Sequence, residues 1–176
     1  MINKGNSALF GIIKQARREN LPIDIQFELF DMMVLPVILY GAEVWGSMNL
    51  KTLESLHLKF CKMVLKLKRS TPDIMVYGET GRFQVEYYAK KRIINFWSRV
   101  ASGSTDKSSY KMYILSKQLH DSGRRTSTWY LNLVKILESY GITNVPVESE
   151  NIKAVVKIMH ESLKSEYITK WKAEVG

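Results

Sequence analysis

The sequence predicts an all-α fold of about seven helices. Apolar residues recur at three- and four-residue intervals in one segment after another. Gly, Pro and Ser punctuate the gaps, and no run longer than a few residues has a persuasive strand pattern. The chain has 176 residues, 45% hydrophobic and 24% charged, a composition able to bury a core as one domain or two small helical lobes.

The first helix is expected over 7–19, capped by Ser7, with Leu9, Ile12, Ile13 and Ala16 as its stripe. Pro22 suits the first turn of a second helix carrying Ile25, Phe27, Leu29, Phe30 and Met33. That helix runs into Leu35–Trp45, the least polar run of the chain. Pro36 lacks an N–H donor and clashes with the carbonyl four residues back, so a kink is expected there. Gly41 beside Tyr40 permits close backbone approach, Trp45 adds bulk, and Gly46-Ser47 marks the end.

Residues 50–68 carry the clearest pattern. Leu50, Leu53, Leu56, Phe60, Met63, Val64 and Leu67 share one face, and Lys59, Lys62, Lys66 and Arg69 line another. Pro72 is expected to stop this helix. A short segment then leads to a turn at Gly78-Glu79-Thr80-Gly81. Residues 84–101 form the next helix, with Val85, Tyr88, Ala89, Ile93, Phe96, Trp97 and Val100 inward and Lys90, Lys91, Arg92 and Arg99 as its charges. After the 103–106 loop come helices over 107–121, from Ser127 to a left-handed cap at Gly141, and from Ser149 onward with Ile152, Val156, Met159, Leu163, Tyr167 and Trp171 on one side.

Charge is unevenly placed. The whole chain carries +9, but residues 1–50 sum to −1, residues 51–125 to +10 and residues 126–176 to zero. A basic block between near-neutral flanks suits an anionic partner such as nucleic acid, or else is a solvated surface with no dedicated ligand. Between Glu54 and Asp73 there is no acidic residue, so the lysines repel one another unless a polyanion neutralises them. Most aromatics sit at core spacing, and Tyr87 alone is a candidate for stacking on bases.

Catalytic constellations are not expected. His57 and Cys61, four apart on a helix, are half of a metal site at most, and His120 and His160 are isolated from them. Gly78–Gly81 is not followed by the Lys-Ser/Thr of a phosphate loop, and Ser47 lacks the setting of a nucleophile elbow. Adjacent aspartates of the kind that hold metals for phosphoryl transfer do not occur. The expectation is no metal, no cofactor and no enzyme in its own right. One cysteine, no signal-like start and no apolar run long enough for a bilayer suggest an intracellular setting without a membrane.

Residues 35–46, Leu-Pro-Val-Ile-Leu-Tyr-Gly-Ala-Glu-Val-Trp-Gly, resemble the "PvllYGsEvWg" segment that follows the palm in reverse transcriptases of non-LTR (LINE-type) retrotransposons. Three further boxes resemble the same family in the same order. They are the helix with Leu53, Leu56, His57, Phe60 and Cys61, then Thr71-Pro72 with Val76 to Phe83, and Ile93 to Val100. Together they cover roughly residues 25–100.

The resemblance implies that Pro36, Tyr40, Gly41, Glu43, Trp45, Pro72, Gly78, Glu79, Gly81 and Trp97 are the structural positions of the motifs. It also implies a thumb-like bundle over 1–103 with a helical extension over 104–176, split from the palm and fingers that carry the catalytic aspartates. Its inherited role would be holding template–primer, as RNA–DNA hybrid or duplex, through backbone phosphates on Lys59, Lys62, Lys66, Arg69, Lys90, Lys91, Arg92 and Arg99. Gln84 stands where the family usually has Pro, and the Cys/His knuckle of some relatives has no counterpart. The alternative is a helical protein–protein interaction module, with an exposed apolar patch around Leu35–Trp45 where a palm/fingers domain once packed.

Overall fold

The computed structural model describes residues 2–45, 50–143 and 149–175. Among them all regular structure is helical. The helices are α1 (Ile2–Arg18), α2 (Ile23–Leu29), α3 (Leu35–Ile38), α4 (Ala42–Trp45), α5 (Leu50–Val64), α6 (Asp73–Thr80), α7 (Val85–Ala101), α8 (Ser108–Asp121), α9 (Thr128–Ser139) and α10 (Ser149–Val175). The larger number than seven comes from subdivision of the bent stretch and from α6.

The chain forms two compact units. One comprises residues 1–41, 47–86 and 170–176, the other residues 42–46 and 87–169. The boundary expected at residue 103 falls inside the second.

In the first unit α1 packs on α3 and α5, and α5 on α6. Helix α1 starts at Ile2, so Ser7 is no cap; its hydroxyl donates back to the Asn3 carbonyl at 3.0 Å. Leu9, Ile12, Ile13 and Ala16 are buried as their spacing requires. The α1 exit turns through Asn20 at φ 50°, and the Leu21 N–H closes onto the Ala16 carbonyl at 3.0 Å. Pro22 is the residue before α2 rather than within its first turn.

The bend at Pro36 takes a definite form. Phe30–Val34 is a π-helical turn, in which the Leu35 N–H reaches the Phe30 carbonyl. The wider ring precedes a residue that cannot donate and crowds the preceding turn. Gly41 then takes φ 72°, a left-handed value that glycine adopts without strain. The expected boundary at Gly46-Ser47 lies outside the described residues.

Helix α5 ends at Val64, short of the expected Lys68. Lys66 sits at φ 56°, and the Leu67 N–H bonds to the Lys62 carbonyl at 2.8 Å. Pro72 therefore stops nothing; it precedes α6, which occupies the segment expected as loop and turn. Gly78 to Thr80 are helical, and Gly81 alone is left-handed, at φ 62°. The core of this unit includes Leu9, Phe30, Val34, Ile38, Leu53, Leu56, Phe60 and Val76.

In the second unit Trp97, Ile93 and Ile94 of α7 are buried, as are Tyr113 of α8, Tyr130, Leu133 and Leu137 of α9, and Ile152, Met159 and Leu163 of α10. Ser127 caps α9 as expected, accepting from the Tyr130 N–H at 3.2 Å, and Gly141 follows at φ 77°. Each fully buried large apolar side chain contributes about 1.5–3 kcal/mol, so these packed faces, rather than helix propensity, hold the elements.

Candidate nucleic-acid interface

The first basic cluster belongs to α5 and its exit. Lys59 is exposed, with its ammonium 4.6 Å from the centre of the Phe10 ring. Lys62 is turned inward to the loop, where its Nζ donates to the Arg69 carbonyl at 3.1 Å and to Asp73 Oδ1 at 2.7 Å. Lys66 and Arg69 are exposed but lie beyond the helix end. The four residues expected as one helical stripe are therefore not one. Lys62 secures the loop between α5 and α6, and Lys66 leaves the helical register because the backbone reverses there.

The second cluster is a helix face. On α7 the residues turned away from the core are Tyr88, Lys91, Arg92, Asn95 and Arg99, and no acidic residue occurs between Glu86 and Asp106. Lys91 and Arg99 are exposed. The Arg99 guanidinium lies 5.5 Å from the Phe96 ring centre, and Arg92 Nη1 stands 3.9 Å from Glu43 Oε2. Lys90, on the flank, places its ammonium 5.9 Å from the centre of the Tyr167 ring. Tyr87, the expected stacking residue, is instead buried edge-on against Tyr88 and Tyr167. Tyr88, expected inside, is the half-exposed member of the pair, because it falls on the same side of α7 as Lys91 and Asn95.

Sequence reasoning found α10 but missed its basic side. Lys153, Lys157, His160 and Lys164 follow at steps of four, three and four along one side of that helix; the three lysines are exposed and His160 is half-buried. Burial, and after it the positive charge of Lys91, holds the His160 imidazole below its ordinary value of 6.5. Lys91 thus lies within electrostatic reach of the α10 stripe. The spacing was legible, but a net charge of zero over 126–176 hid it.

Some of the motif residues serve the fold. Trp97 is fully buried. The Trp171 indole donates to the Ile74 carbonyl at 3.0 Å and covers Gly78, where an added Cβ would meet Trp171 Cζ2 at 2.6 Å. Glu43 offers its backbone carbonyl to the Trp129 indole at 2.9 Å, while Trp45 is half-buried and Tyr40 and Glu79 are exposed.

A part-buried polar network extends from α5. Glu54 accepts from the Tyr77 hydroxyl and, at 2.6 Å, from the Val85 N–H. Arg82 donates to Asp31 and, through Nε, to His57 Nε2 at 3.0 Å. Because His57 accepts at Nε2, its proton belongs on Nδ1, 3.5 Å from Glu54 Oε1. His57 is thereby engaged with Arg82 and Glu54, and Cys61 is buried, its thiol pushed up to about 12 chiefly by that burial. No group of three metal-binding side chains converges among the described residues. No helix among them is long and apolar enough to cross a membrane. Comparisons with family models, with curated proteins and with solved structures return no match.

Proposed function

We propose that this chain holds a nucleic-acid duplex, as RNA–DNA hybrid or double strand, through its phosphate backbone and performs no chemistry of its own. The observation that carries the reading is the α7 face: Lys91, Arg92, Asn95 and Arg99 with Tyr88. Helix α7 itself contributes no carboxylate to this face, and among the ion pairs described Glu43 stands beside Arg92 alone of these cations. Cations arranged this way release counterions from a polyanion, and a half-exposed tyrosine adds a surface for sugar or base. The α10 lysines add positive charge to the same unit. The four sequence boxes supply the context, in which the chain is the thumb-like bundle and helical extension of a non-LTR reverse transcriptase and catalysis belongs to palm and fingers. The all-helical architecture is compatible with that role.

The test is fluorescence anisotropy with a short labelled RNA–DNA hybrid across roughly 50 to 200 mM salt, where a multi-phosphate contact loses orders of magnitude in affinity. Lys91→Glu and Arg99→Glu, both at exposed positions, should leave the helical circular dichroism unchanged. Each should weaken binding and reduce the magnitude of the log–log salt slope by about 1. A salt-independent affinity, or variants that bind as the parent does, would leave the α7 face as an ordinary solvated surface.

A further inference from the structure

The strongest feature outside the basic surface lies on the opposite sign of charge. From Glu19 to Leu50 the chain has five acidic residues and no Lys or Arg. The helical run through this segment buries Phe30, Val34 and Ile38 but leaves a second apolar stripe in solvent. Ile25, half-buried Leu29 and Met32 follow at steps of four and three, with Met33 and Pro36 beyond them, Met32 being 66% and Met33 52% exposed.

Two adjacent methionines, Met32 and Met33, are exposed. Both lie within the π-helical turn Phe30–Val34, whose buried residues are Phe30 and Val34. Asp24 and Glu28 border this stripe, exposed and without ion pairs among the described residues. Asp31, by contrast, is engaged by Arg82.

We propose that this stripe is a docking face for a basic amphipathic helix, a partner whose apolar side covers the methionines and whose lysines or arginines meet Asp24 and Glu28. Charge complementarity selects that occupant. Arg82, a cation that reaches this segment, is engaged by Asp31, so the exposed Asp24 and Glu28 favour a basic helix over an acidic helix or nucleic acid. Unbranched, polarisable methionine side chains adapt to whatever apolar residues are presented. Its residues are other than the α7 and α10 cations, so its failure and the failure of the phosphate-binding reading are separable.

The experiment is a titration of the full chain with a labelled Leu/Lys peptide designed as an amphipathic helix, against a scrambled peptide of the same composition. Binding by the amphipathic peptide alone is expected, weakening with salt, and at least tenfold weaker in Met32→Ser/Met33→Ser. In Asp24→Lys/Glu28→Lys, which leaves the apolar stripe intact, the salt-sensitive part of the affinity should disappear. Hybrid binding should be unchanged in both variants. Equal binding of the scrambled peptide, or parental affinity in the charge-reversed variant, would overturn the proposal. So would concentration-dependent self-association abolished by the methionine changes, since the occupant would then be a second copy of the chain.

Discussion

Glu54 shows most plainly how single residues act here. Its two carboxylate oxygens take the Tyr77 hydroxyl and the Val85 N–H, which ties α5 to α6 and to the start of α7. Replacing it with Ala strands both donors in the interior. Glu54→Ala should therefore cost about 2–4 kcal/mol, read as a lower urea midpoint at unchanged slope. Glu54→Gln, which still accepts, should cost less; equal loss in both would show that hydrogen bonding is not the cause. Arg82 illustrates why such roles are hard to read beforehand. In the sequence it is one more cation of a basic block, yet its side chain is consumed by Asp31, His57 and the Phe27 and Phe30 rings. Lys62 is similar, since its partner Asp73 is eleven residues away beyond a reversed backbone. Periodicity ranks residues by face but not by partner.

At the scale of elements, α1 and α3 approach through a glycine. A Cβ on Gly5 would meet Ile38 Cγ2 at 2.6 Å, so Gly5→Ala must push the helices apart or force Ile38 from its rotamer. A loss of about 1–3 kcal/mol is expected, despite the better helix propensity of alanine, and thermal unfolding by circular dichroism measures it. A gain in stability would mean that the contact relaxes freely. Nothing in the sequence announced this contact, because Gly5 sits before the helix that the pattern predicted. The α9 boundaries were legible because Ser127 and Gly141 act locally. The end of α5 was not: the apolar period continues through Leu67, and only the left-handed Lys66 breaks it. Helix α6 was missed because Pro72 and two glycines read as loop, whereas Pro suits the position before a helix and Trp171 covers Gly78.

For the molecule as a whole, proton-bearing groups are buried in both units. Burial raises Cys61 from 9.0 to about 12 and raises Tyr77, Tyr113 and Tyr130 above 10.0. Folding thus favours their protonated forms. The associated stability is complete below the unfolded values near 9 and 10 and is lost as pH rises through the folded values. The urea midpoint should hold near neutrality and fall by about pH 10.5. Cys61→Ser should remove part of that alkaline slope, and a flat profile would show that these groups are not sequestered. The charge segmentation does not follow the units: the +10 block over 51–125 is shared, with Lys51 to Arg82 in one unit and Lys90 to Arg125 in the other.

The all-α class, most helical cores and the carboxylate-free run from Tyr87 to Thr105 were determined by sequence alone, since each depends on local spacing and composition. Which charges remain available to a partner was decided only by the tertiary structure. Ion pairing and backbone reversal consume Lys62 and Arg82 and displace Lys66, while the packing of α7 puts Tyr88 rather than Tyr87 on the outer face. The physical reason is range. Helix periodicity is set within about four residues, whereas desolvation and ion pairing depend on groups brought together across tens of residues.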